Sequence, residues 1–151
     1  MIRRLLVAID ESERAALVLQ TAVELAGAFG AVLIPMRVLS VPPVFPPSAH
    51  VTRPDPLAPH LEAAAREDLL RATEGLEGIS VAVPVIRTGA PWREILQSSE
   101  ELDVDLVVIG SHGYGGWDRV LGTTAGEVAN RAHRNVLIVH EREAVTSPSS
   151  T

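Results

Sequence analysis

Polar and apolar positions along this chain fall into blocks that alternate between two periods. Leu5-Leu-Val-Ala-Ile9 is a continuous apolar run, closed by Asp10-Glu-Ser-Glu13. Such a run suits a strand covered on both faces. Asp10 to Glu13 then offers a helix start, because carboxylates are favoured by the first-turn dipole. Leu17, Val18, Thr21, Ala22, Leu25, Ala26 and Phe29 recur at helical spacing, and Gly30 stops that helix. Ala31 to Leu39 reads as a second strand. Pro35 lies inside it and lacks the donor that a central strand needs, so a bulge or local break is expected there.

Residues 41–60 hold seven of the eleven prolines and read as a loop or lid. A helix is expected from about Leu57 to Leu76. Ile79 to Ile86 alternates and contains Pro84, which suits an edge strand. Ala90 to Leu102 reads as a helix with Pro91 in its first turn. Asp105 to Ile109 is another buried strand, ending at Gly110. Thr123 to His133 is helical, and Val136 to His140 is the last strand. The order β-α-β-α-β-α-β-α-β calls for a parallel sheet with helices on both faces, an α/β fold. Residues 1–141 are expected to form one domain, with 142–151 a flexible tail.

Composition agrees with this pattern and narrows the chemistry. Hydrophobic residues make up 46% of the 151 and aromatic residues only 3%, so Val, Leu, Ile and Ala must fill the core. The net charge of −6 argues against general affinity for nucleic acid. All 13 basic residues are arginine, which removes mechanisms that need a lysine. No cysteine is present, so thiolate chemistry and disulfides are excluded. The run Leu5 to Ile9 is too short for a signal peptide or a membrane span; a soluble cytoplasmic protein is the expectation. His50, His60, His133 and His140 are scattered without ligand spacing, and no metal site is expected among them.

The most informative segment is Gly110-Ser-His-Gly-Tyr-Gly-Gly-Trp-Asp-Arg-Val-Leu-Gly-Thr123. It follows a buried strand and opens a helix. In an open α/β sheet, ligands bind beyond the carboxyl ends of the strands. Gly110 and Gly113 allow positive φ and a close backbone approach. Gly122-Thr123-Thr124 begins a helix whose free N–H groups and dipole attract phosphate. The segment lacks the lysine of a Walker loop and does not follow the first strand, where a dinucleotide fingerprint belongs.

It resembles the G-x2-G-x9-G-[ST] loop of the universal stress protein family. Gly110-Ser-His-Gly113 matches its first half and Gly122-Thr123 its second. Leu5 to Asp10 with Ser12-Glu13 is similar to that family's first strand and following D-x-S. Arg37-Val38 stands where His-Val is common, and Thr88-Gly89-Ala-Pro91 with Glu94-Ile95 looks like its G-x-P-x-x-x-I helix start. Asp103 to Gly113 and Asn135 to Val139 complete a resemblance over nearly the whole chain outside 41–60. Three departures stand out. Residues 114–121 number eight and not nine, Asn135 replaces proline, and Arg37 replaces histidine.

The resemblance implies a five-stranded parallel sheet of order 3-2-1-4-5, like that of adenine nucleotide alpha hydrolases. It also implies an ATP-binding member, with AMP or ADP as other ligands and Mg2+ carried by the phosphates. By position, Asp10 should contact the ribose, Ala8 and Ile9 should lie near the base, and the Val38 backbone should read adenine. Ile109, Gly110, His112, Gly113, Gly122, Thr123 and Thr124 should line ribose and phosphates. A homodimer through the last strand is expected on the same grounds.

Strong phosphoryl-transfer catalysis would want a cation clamp and a residue that positions water. The sequence displays neither, so regulation with at most slow hydrolysis is the leading expectation. Two alternatives stand beside it. One is a dimeric interaction module that binds no nucleotide. The other is a nucleotidyl transferase or hydrolase, which would typically carry H-x-G-H or S-G-G-x-D-S near the first strand.

Overall fold

The continuous apolar runs become the middle of a sheet. The computed structural model describes residues 1–40, 58–111 and 122–142. The strands are β1 (Arg4–Ala8), β2 (Val32–Leu39), β3 (Val85–Thr88), β4 (Leu106–Gly110) and β5 (Asn135–Val139). The helices are α1 (Ala15–Phe29), α2 (Ala58–Ala72), α3 (Pro91–Glu101) and α4 (Thr123–Arg131). All pairings are parallel and the strand order is β3-β2-β1-β4-β5. β1 is central, and Leu5, Leu6 and Val7 are fully buried.

Side chains alternate across the sheet, so each central strand feeds two cores. Leu5, Val7 and Leu33 pack with Val18, Ala22 and Ala26 of α1 and Leu69 of α2. Leu6, Ile34 and Met36 pack on the other face with Ile95 of α3 and Ala125 and Val128 of α4.

Pro35 sits within a continuous β2, paired with Val7. Val32 donates its N–H toward β1, to the Arg3 carbonyl at 2.8 Å, and Leu33 donates the other way, to Ser80 at 2.8 Å. By that alternation the ring nitrogen of Pro35 faces the β3 side. There the pairing is interrupted: Leu33 bridges Val81, an offset of 81 − 33 = 48, whereas Met36 pairs Val85, an offset of 85 − 36 = 49. One extra residue is accommodated in the stretch that contains Pro84. The expected break is present, but it lies in the neighbouring chain segment and not in β2. For the same reason β3 begins at Val85, and the alternation from Ile79 yields only an isolated bridge before it.

A second correction concerns α1. Asp10 to Glu13 does not form its first turn, which begins at Ala15 after Arg14. Asp10 instead folds back on its own loop, its Oδ1 accepting from the Ser12 N–H at 3.0 Å and the Ser12 hydroxyl at 2.6 Å. At the far end Gly30 takes φ 63°, and its N–H bonds back onto the last turn. That left-handed cap is the stop expected there.

Candidate functional site

β1 is where the sheet changes direction. β2 and β3 extend from one side of it, β4 and β5 from the other. The crevice between the carboxyl ends of β1 and β4 is therefore the switch point, the usual place for a ligand in such sheets. A pocket of ≈ 250 Å³ opens there.

Its walls come from the ends of the elements. β1 delivers Ala8, with Ile9 and Asp10 just beyond it; β2 delivers Val38, followed by Ser40. β4 contributes Ile109 and Gly110, then Ser111. Thr124 reaches the pocket from the first turn of α4, opposite Arg14, Ala15 and Val18 at the start of α1. Pro91 and Ile95 of α3 complete the wall. Seven expected positions are thus brought together: Ala8, Ile9, Asp10, Val38, Ile109, Gly110 and Thr124. Gly122 and Thr123 precede Thr124 at the helix start, Gly122 as its N-cap. His112 and Gly113 lie outside the described residues, as do Tyr114, Trp117, Arg119, the shortened 114–121 spacer and most of the proline-rich stretch.

Gly110 has a different role from the one read in the sequence. Its φ is not positive; it is an ordinary extended residue of β4. What it supplies is space, since a Cβ there would come within 3.0 Å of Val18 Cγ2. Gly122 is likewise extended, with φ −58° and ψ 162°. Among the described residues no side chain caps α4. The first N–H groups of a helix have no partner within it, so this helix end offers backbone donors beside Thr124.

Sequence reasoning missed Ser12, Arg14, Ser40, Ser111, Pro91 and Ile95 as wall residues. Pro91 and Ile95 belong to a stretch already matched to a family motif, but their value as pocket wall follows only from the docking of α3. Arg14 carried no signal. Its Nη1 donates to the Ser111 carbonyl at 3.0 Å.

Behind the crevice, on the opposite face of β2 from Val38, Arg37 is buried. Its Nε donates to the Ile9 carbonyl at 3.3 Å and its Nη1 to Asp68 Oδ2 at 3.3 Å. A buried cation must be paired, and this one ties α2 to the end of β1. Among the described residues no group of His, Cys, Asp and Glu is placed to hold a metal ion.

The topology agrees with what the chain matches. Residues 1–140 match the Universal stress protein family. The chain belongs to that family. Universal stress protein A homolog 1 of Coxiella burnetii is 30% identical over 150 residues, covering 93% of this chain and 98% of that protein. UspA from Lactobacillus plantarum has the same fold, with a TM-score of 0.72 at 24% identity, covering 92% of this chain and 98% of its own. A universal stress protein solved in complex with cAMP superposes with a TM-score of 0.68 at 21% identity, over 92% of this chain and 97% of that one. Among the described residues no helix is long and apolar enough to cross a membrane.

Proposed function

We propose that this universal stress protein binds an adenine nucleotide in the β1/β4 crevice and acts as a regulator in the stress response, with ATP as the leading ligand. The observation that carries the proposal is the convergence of Asp10, Val38, Gly110 and Thr124 on one pocket at the switch point. Each comes from a different element, and each has a different part in holding a nucleotide. The Asp10 carboxylate accepts from ribose hydroxyls, and the Val38 backbone is a polar edge for adenine. Gly110 lets Val18 of α1 pack against the end of β4 and close that wall of the pocket, and the α4 start with Thr123 and Thr124 donates to phosphate. The family relative bound to cAMP is consistent with an adenosine-shaped ligand.

The donors in this reading are backbone amides and hydroxyls, which favour retention of a phosphate over its transfer. Slow hydrolysis is the most this reading allows. Mg2+ would arrive on the nucleotide's own phosphates. The further elements are a single domain over 1–141, a cytoplasmic location and a homodimer that covers the outer edge of β5, where Leu137 is 36% exposed.

The test is calorimetric titration with ATP, ADP and AMP, beside Gly122→Val. The Gly122 backbone conformation is open to any residue, so this variant should fold. Submillimolar ATP binding that weakens at least tenfold in Gly122→Val is the expected outcome. Absence of binding by the unmutated chain would favour an interaction module instead, and fast turnover would favour an enzyme.

A further inference from the structure

Arg14 is the cation that a lysine-free chain brings to this crevice. It stands directly before α1, with its side chain 38% exposed. Its Nη1 donates to the Ser111 carbonyl at 3.0 Å, and its Nε lies 3.2 Å from Glu141 Oε2. Ser111 is where β4 ends and the glycine-rich segment begins; its own N–H donates to the Val139 carbonyl at 2.9 Å. Glu141 lies two residues past the end of β5 and is 63% exposed. One guanidinium therefore joins the exits of β4 and β5 at the wall of the pocket. Of the described residues lining that pocket, Arg14 is the cationic one and Asp10 the acidic one, while Glu141 is not part of the lining.

We propose that Arg14 reads the anionic end of the ligand, a phosphate group taking the place of Glu141 on the guanidinium. This rests on the reading of the crevice as a nucleotide site. The exchange is favourable on physical grounds. An ion pair this exposed holds weakly in water. A phosphate carries more charge than a carboxylate and offers several acceptor oxygens, and the planar guanidinium fork fits two of them at once. Glu141 loses little by returning to solvent.

Two consequences follow. The site selects nucleoside phosphates over nucleosides through Arg14. It also converts the presence of a phosphate into release of Glu141, and its loss into recapture.

The experiment compares ATP and adenosine affinities for the unmutated protein, Arg14→Gln and Glu141→Gln at low ionic strength, with thermal melts to confirm folding. Arg14→Gln is expected to lower the ratio of ATP to adenosine affinity about tenfold or more, the weight of a lost charge-assisted hydrogen bond. Glu141→Gln, which removes the competing carboxylate, is expected to raise that ratio about threefold. A ratio unchanged in Arg14→Gln, or lowered in Glu141→Gln, overturns the exchange while leaving the nucleotide site standing. Failure of the unmutated protein to bind either ligand overturns both.

Discussion

Both ends of the sheet carry polar groups but use them differently. At the amino end, Asp105 Oδ2 accepts from the Arg3 N–H at 2.8 Å and the Arg4 N–H at 3.0 Å, which locks β1 beside β4. Arg134 reaches Glu100 at 3.0 Å and Asp103 at 3.1 Å, so the α3 end and the start of β5 are held together. At the carboxyl end, Asp10, Ser12, Ser111 and Thr124 surround an open pocket. Size does not distinguish the ends: the hollow at the amino end, lined by Met1, Asp105, Arg134 and neighbours, is the larger at ≈ 310 Å³. The distinction lies in what the polar groups face. One end spends them on joining strands. The other presents backbone donors, hydroxyls, a carboxylate and a guanidinium toward a ligand-sized space.

The sharpest way to break this comparison is to change the scaffold common to both ends. Leu33→Ala, at a fully buried position in the α1/α2 core, should cost about 2–5 kcal/mol of stability. Chemical denaturation reads that loss. Ligand affinity per folded molecule should change little, because Leu33 does not line the pocket. Gly110→Ala sharpens the account at the carboxyl end, since its Cβ crowds Val18. Val18 Cγ2 must give by a few tenths of an ångström, and a loss on the order of 1 kcal/mol is expected from the tight contact. Adding Val18→Ala should recover part of it if the crowding is the cause. Thr124→Val keeps the side-chain shape and removes the hydroxyl. It should weaken phosphate-bearing ligands by about 1 kcal/mol and leave denaturation midpoints nearly unchanged.

Asp105 provides the smallest and most specific test, at the amino end. The Arg3 and Arg4 backbone N–H groups donate to its carboxylate and hold it below the usual carboxylate range. The folded state thus favours the ionised form. Its contribution is fully present above the unfolded value of about 3.9 and is lost as pH falls through the lower folded value. Asp105→Asn should flatten the acid side of a stability-versus-pH curve without touching ligand affinity at neutral pH. A change in ligand affinity would show that the two ends are not independent.

Much of this architecture was legible in the residues. The runs Leu5 to Ile9 and Leu106 to Ile109 could be buried only between two helix layers, and Gly30 could only be a stop. The strand order itself came from the resemblance to a family and not from periodicity. What escaped prediction depended on contacts between distant segments. Pro35 is tolerated because the partner segment near Pro84 carries one extra residue, and no local pattern displays that register shift. The charge run Asp10 to Glu13 looked like a helix start, yet Asp10 bonds Ser12 and α1 waits until Ala15. Gly110 was read as free to take positive φ, whereas it is extended and α1 packs so close that a Cβ would press on Val18. Arg14 became a pocket residue only once α1 and β4 were docked. Of the expected site, the positions at strand ends were the readable ones, because the end of a buried run marks the edge of the sheet.

The most direct measurement is a residue-by-residue map of amide NMR shifts during titration with ATP. Saturable shifts are expected at Ala8, Asp10, Val38, Gly110 and Thr124, with Arg3, Asp105 and Arg134 unmoved. Shifts confined to the amino end, or none at all under millimolar ATP, would contradict the assignment of the β1/β4 crevice as a nucleotide site.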